Sequence, residues 1–356
     1  MLTRRLFLEQ AAAAGVALRP SFAGSSEKGL CEIARQRGLL YGCAAATYEL
    51  KDATFSNVLV REAGILSAEY EMKRAALEPN RGVFDFSGGD GLLAFAQTHG
   101  MAFRGHTLVW HHGNPPWLED ALQGPDAESL LAGYIAKVMR RYEGRIRSWD
   151  VVNETIQPAD GRADGLRNTL WLKRFGPSYI DMAYHAAHEA DPNALLVYND
   201  WGCELGAPKN DRFRAVTLDF LSKALARGVP IQALGVQGHL PAFGVQVDQK
   251  KLAVFLESVR AMGLKILVTE HDVDDSGGPS DIATRDAAVA DASRRFLDVM
   301  LDNPAVDTVL TWGLSDRFVD PPGWRDRLAG RFPRPLPLDQ DYARKPMWAA
   351  MAKAFA

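Results

Sequence analysis

The sequence predicts an α/β fold, a single-domain (β/α)8 TIM barrel, and three observations carry that prediction. Eight short apolar runs alternate with helix-like segments from about residue 27 onward. Such an alternation is buried by parallel strands joined through helical crossovers. No Gly-x-Gly-x-x-Gly follows the first run, which removes the usual dinucleotide-binding reason for an open, doubly wound sheet. The count of eight, and a length of roughly 330 residues beyond the N-terminal segment, favour closure into a barrel.

The runs are LLYGCAAAT (39–47), GILSAE (64–69), AFRGHTLVW (102–110), IRSWDVVNE (146–154), ALLVYND (194–200), QALGVQGHL (232–240), KILVTEHDV (265–273) and DTVLTWGL (307–314). Between them lie periodic segments such as AESLLAGYIAKVMRRY (127–142) and KLAVFLESVRAMG (251–263). In the second, Leu252, Val254, Phe255, Val259 and Met262 approach helical spacing. Asp248 is placed to cap that helix and Gly263 to stop it. No linker or repeat divides the chain, so residues 27–356 are expected to form one domain.

Residues 1–26 are read as a twin-arginine export signal. Arg4-Arg5 precedes Leu6-Phe7-Leu8 and a mild alanine-rich run, and Ser21-Phe22-Ala23 is the expected cleavage region. The product would be periplasmic or secreted. With 41 Lys and Arg against 44 Asp and Glu, the net charge of −3 argues against nucleic acid as a partner. No apolar run reaches the roughly 20 residues of a membrane span, so no membrane partner is expected. Cys31, Cys43 and Cys203 cannot pair completely and lack metal-ligand spacing. They are read as small buried hydrophobes, with a Cys31–Cys43 bridge left open. His99, His111, His112, His185 and His188 fit no compact zinc motif. No metal or cofactor is expected, and a monomer is.

In a barrel of this kind the C-terminal strand ends build the site. Here the runs end on Glu69 with Lys73 close behind, on His106, Trp110 and His111, and on Asn153-Glu154. Asn199-Asp200, Gln237 with His239, Glu270 with Asp272, and Trp312 follow. Amides, acids and imidazoles suit sugar hydroxyls, and indoles suit the flat C–H faces of a pyranose. Glu154 and Glu270 close the fourth and seventh runs, which face each other across the mouth. A retaining glycosidase needs two carboxyls about 5–5.5 Å apart, one to attack the anomeric carbon and one to protonate the leaving oxygen. Asn153 would hydrogen-bond the sugar 2-hydroxyl. Asp150 and Trp149, on the same run, are read as structural.

The ordered motifs EYEMK with LEPNRGVFDF (69–86), RGHTLVWH (104–111), WDVVNE (149–154), YND (198–200), GVQGHL (235–240), VTEHDV (268–273) and TWGLSDR (311–317) resemble glycoside hydrolase family 10, the endo-1,4-β-xylanases. The resemblance implies Glu270 as nucleophile and Glu154 as acid/base. It implies that His239 touches the nucleophile and is held by Asp272, and that Gln237 and Trp110 shape the acid/base pocket. Lys73 and His106 would bind hydroxyls at the cleaved sugar, with Trp312 as its platform and a cis His106–Thr107 bond. The expected partner is xylan or a derived oligosaccharide. This sequence departs from the family pattern at Tyr70 (Asn expected), Arg74 (Trp), Gly113 (Gln) and Asp320 (Trp, with Trp324 near enough to substitute). Tyr70 and Gly113 fall where the next sugar on the non-reducing side is gripped, so an altered glycone pocket is expected. Alternatives are the same chemistry on a decorated xylooligosaccharide or another β-glycoside, and a barrel that binds carbohydrate without cleaving it. The last is disfavoured, because a binding module needs neither two acids nor a His239–Asp272 support.

Overall fold

The eight apolar runs become nine strands in the computed structural model, which describes residues 28–319 and 331–356. They are β1 (Leu40–Ala45), β2 (Ile65–Ala68), β3 (Ala102–Gly105), β4 (Ser148–Asn153), β5 (Leu195–Asp200), β6 (Ala233–Val236), β7 (His239–Pro241), β8 (Lys265–Asp274) and β9 (Val306–Thr311). The sixth run supplies two strands because Gln237 and Gly238 interrupt it, Gly238 at φ +78°. The order is β6-β5-β4-β3-β2-β1-β9-β8, and β6 pairs in parallel with β8, so the sheet closes on itself. β7 adds a short parallel ladder beside β8. The expected export signal, and positions 320 and 324, lie outside the described residues.

Closure explains why the runs are apolar throughout rather than alternating. Every residue of β4 and β6 is buried, as a sheet filled on one face and covered by helices on the other requires. Helix starts follow side-chain caps. The Asp52 carboxylate accepts from Thr54 and Phe55 N–H groups before helix Ala53–Glu62. Asp248 accepts from Lys251 N–H at 3.1 Å before helix Gln249–Ala261, and Gly263 follows that helix at φ +82°. The 127–142 segment is helical through Tyr134–Tyr142, preceded by a π turn at Ser129–Gly133.

The barrel interior is not purely apolar. Arg104 on β3 and Asp150 on β4 form an ion pair with both side chains buried. Asp150 is therefore a structural acid, and its backbone carbonyl also accepts from the Thr107 hydroxyl at 2.9 Å. The His106–Thr107 bond is cis. Trp149 belongs to the core and its ring lies against Gly105, where a Cβ would come within 2.1 Å of it. All three cysteines are free thiols, so the Cys31–Cys43 bridge is not formed. Cys43 is sealed in β1, and the Cys31 Sγ donates instead to the Arg61 carbonyl.

Because the indole already fills the space above Gly105, Gly105→Ala should destabilise the fold by about 1–3 kcal/mol. Urea unfolding should show this as a lower midpoint with an unchanged slope.

Candidate active site

Glu270 sits on β8 at the barrel mouth and is buried, 5% exposed. A carboxylate in that position needs donors. Asn199, on β5, gives its amide N–H to one Glu270 oxygen at 2.7 Å. His239 Nε2 lies 3.3 Å from the other, and His239 Nδ1 lies 2.8 Å from Asp272. Asn199 is itself fixed by the Thr269 hydroxyl, which donates to its amide oxygen at 2.6 Å. Glycine at 235 makes room for that amide, since a Cβ there would fall 2.3 Å from the Asn199 oxygen.

The electrostatics follow from these contacts. Burial works to raise the Glu270 pKa, but the His239 hydrogen bond, the charges of His106 and His239, and the Asn199 amide outweigh it and hold the carboxyl at about 2. Burial works against a charge on His239, but Asp272 and Glu270 overcome it and raise its pKa well above the usual imidazole value. The charged ring can then donate from both nitrogens, one to each carboxylate.

Glu154 directly follows β4 and adopts φ +54°, a left-handed conformation that costs a non-glycine residue about 1 kcal/mol or more. The bend turns its side chain out of the strand and into the mouth. Gln237 donates to the Glu154 carboxylate at 3.2 Å and reaches the Asn153 amide oxygen at 3.4 Å. That same oxygen accepts from Asn199 at 2.8 Å. Glu154 and Glu270 are thus joined by a continuous hydrogen-bonded path through Gln237, Asn153 and Asn199. Swapping the Asn153 amide would bring its oxygen 3.1 Å from the Trp110 indole. It would also set two NH2 groups against each other, because Thr269 and Glu270 fix Asn199, so the unswapped orientation stands. His111 Nδ1 lies 3.8 Å from Glu154. Burial, then the Arg167 charge, pushes His111 down to about 3, so it is neutral.

The remaining expected residues gather on the other side of Glu270. His106 is buried, its Nδ1 2.9 Å from Asp150 and 3.8 Å from Glu270. Its ring meets Trp312 edge-on at 5.1 Å. The Lys73 ammonium faces the rings of Tyr70, Trp110 and Trp312 at 4.9, 5.2 and 5.8 Å. Burial lowers the Lys73 pKa, opposed by the charges of Glu270, Glu69 and Glu154. Burial raises that of Glu69, opposed by a hydrogen bond with Tyr70 and by Lys73. Trp324 lies outside the described residues.

The departures from the motif pattern acquire physical content. Tyr70 is 51% exposed at the cleft edge. Gly113 has φ +63° with Lys73 and Trp110 beside it. Arg74 is a buried cation, paired with Glu78 and with its guanidinium 4.1 Å from the centre of the Tyr134 ring. The sequence placed Asn199 at a strand end but gave it no role, and its grip on Glu270 emerges only from the structure; Asp150, read as structural, also holds His106. The sequence reading also missed Thr269, which fixes Asn199, and Arg167, which no motif covers. Among the described residues, His106, Asp150 and Glu270 are close enough to share a cation. The Arg104 pairing and the His106 hydrogen bond already occupy Asp150, so these contacts account for the cluster without an ion.

Residues 29–354 match the family model for glycosyl hydrolase family 10. The chain belongs to that family. Endo-1,4-beta-xylanase B of Thermotoga neapolitana is 31% identical over 333 residues, covering 92% of each chain. Endo-1,4-beta-xylanase C of Paenibacillus barcinonensis is 32% identical and matches 91% of this chain, which spans only 32% of that longer protein. Among solved structures, xylanase 10B from Thermotoga petrophila RKU-1 in complex with xylobiose superposes with a TM-score of 0.81 at 28% identity, covering 92% of this chain and 97% of that one. The (β/α)8 architecture expected from the sequence is therefore that of family 10.

If the ionised form of Glu270 is the reactive one, activity disappears on the acid side as that carboxyl takes up a proton. His239→Ala removes the strongest influence holding it down, so the acid limb of kcat/KM should move up from near 2 towards the ordinary carboxylate value of 4.5. A pH–rate profile of the variant checks the direction.

Proposed function

We infer that the chain is a retaining endo-1,4-β-xylanase that cuts internal linkages of xylan by double displacement. The observation that carries this reading is a buried, ionised Glu270 coupled through Asn199, Asn153 and Gln237 to a second carboxylate, Glu154, at the same barrel mouth. Glu270 attacks the anomeric carbon while Glu154 gives its proton to the departing glycosidic oxygen. The C–O bond breaks, and a glycosyl ester forms on Glu270. Forming the ester removes the Glu270 charge, and Glu154, now a carboxylate, takes a proton from water. The water oxygen attacks the anomeric carbon, Glu270 leaves, and the β configuration returns.

The other residues act on binding. Trp312 offers its face to the reacting sugar, with Lys73 and His106 placed for its hydroxyls. Asn153 is placed for the 2-hydroxyl, a contact that strengthens at the oxocarbenium-like transition state. The xylanase names of the relatives and the xylobiose held by the Thermotoga petrophila enzyme support xylan as substrate. The paired arginines near the N-terminus support export to the periplasm or beyond.

Glu154→Ala should cut hydrolysis of xylan by roughly 10²–10⁴-fold, and Glu270→Ala should abolish double displacement. With an activated aryl xylobioside and azide, the first variant should yield the β-glycosyl azide and the second the α. The same anomer from both would refute the assignment. At the cleft edge, Tyr70→Asn should lower KM for linear xylo-oligosaccharides while leaving kcat nearly constant, as expected when a binding group is regained away from the reacting bond. Initial-rate kinetics on xylotetraose decide this.

A further inference from the structure

The general acid sits in a backbone conformation that a strand does not provide, and a side chain missed by every motif reaches it. The segment after β4 runs out and doubles back, with Ile156 and Leu166 bridged antiparallel and Gln157 N–H donating to the Gly165 carbonyl at 2.9 Å. That return brings Arg167 alongside residues 154 and 155. Its backbone N–H donates to the Thr155 carbonyl at 2.7 Å, and its side-chain Nε donates to the Glu154 carbonyl at 2.8 Å. From the opposite side, Glu154 N–H donates to the Asn199 carbonyl at 2.9 Å, and Ile156 N–H donates to the Asp200 carboxylate at 3.1 Å.

What Arg167 does not do is equally informative. Among the described residues it is in no salt bridge as close as 4.0 Å, and its Nη2 is buried with no hydrogen-bond partner. A guanidinium normally uses several donors in a planar fork. Here the side chain holds one peptide oxygen, and that oxygen belongs to the residue at φ +54°. The φ and ψ of residue 154 set where its carboxyl points. Losing the clamp would let the peptide relax towards the ordinary extended region and carry the carboxyl away from Gln237 and the scissile oxygen.

We propose that Arg167 is a positioning residue for proton donation: it fixes the Glu154 peptide in the left-handed conformation that aims its carboxyl at the leaving oxygen. Its side-chain hydrogen bond goes to the Glu154 peptide oxygen, not to the Glu154 carboxylate. The proposal rests on Glu154 being the acid/base, and its signature is dependence on the leaving group. A sugar hydroxyl cannot depart without a proton, whereas 2,4-dinitrophenolate can.

The test compares kcat/KM, which reports the first displacement, for xylotetraose and for 2,4-dinitrophenyl β-xylobioside in Arg167→Met, Arg167→Lys and, as reference, Glu154→Gln. Arg167→Met should lose roughly ten- to 100-fold on xylotetraose, part of the full worth of a general acid, and less than about threefold on the aryl substrate. Arg167→Lys should recover much of the loss. The aryl rate also shows that the variant is folded and its nucleophile intact. Equal losses on both substrates, or no loss on either, would overturn the clamp. If Glu154→Gln splits the two substrates and Arg167→Met does not, the clamp falls and the acid/base assignment survives. If Glu154→Gln shows no split, both fall together.

Discussion

The barrel mouth is organised around one demand: a carboxylate at Glu270 must stay charged where water barely reaches. Removing such an ion from water costs several kcal/mol unless fixed dipoles and charges replace the lost solvation. Asn199 and His239 supply hydrogen bonds, and His106 supplies a nearby imidazole. None of the three holds its orientation unaided. Thr269 fixes the amide, Asp272 fixes the His239 ring, and Asp150 fixes the His106 ring. Asp150 is then a second buried acid, and Arg104 neutralises it inside the barrel. These supports are spread over β4, β5, β7 and β8, with His106 just beyond β3, so the closed sheet itself holds the charge in place.

The two carboxyls are held by different means. Glu270 is gripped at its oxygens, deep in the site, by groups that favour the anion. Glu154 is gripped mainly at its backbone, by the carbonyl of Asn199 on one side and by Arg167 on the other, while its side chain meets the Gln237 amide and lies near a neutral His111. A nucleophile is required to stay put and to be charged when it attacks. A proton shuttle is required to change charge state twice per turnover, and fixing its peptide rather than its oxygens leaves it free to do so. Asp200 completes this frame. Burial pushes its carboxyl up to about 8, opposed by the Tyr198 hydroxyl and by two backbone N–H groups.

The fold was legible because every strand of a closed, helix-covered sheet must be apolar, and eight such runs stand out between capped helices. The polar residues at their ends stand out for the same reason: little else places Asn-Glu or Glu-His-Asp beside a buried run. Arg167 was illegible because nothing in a polar loop announces that the chain returns to its starting strand. The splitting of the sixth run was hidden because Gln237 and Gly238 look like the continuation of a strand. Arg74 was visible only as a break in a motif. Its burial against Glu78 and Tyr134 depends on side chains from distant segments, and no local pattern encodes that.

The strand register has a consequence for how the molecule is made. β1 has partners on both sides, and one of them is β9, with Leu40 opposite Thr308. The helix Pro346–Phe355 comes later still, yet its Trp348 indole and the preceding Arg344 bind Glu62 near the beginning. A ribosome working at about 5–20 residues per second therefore spends tens of seconds between exposing the first apolar edge and delivering the segment that covers it. During that interval an unpaired, hydrophobic strand is open to wrong neighbours. Yield in a host cell should thus be governed by chaperone capacity during synthesis as much as by the stability of the finished barrel.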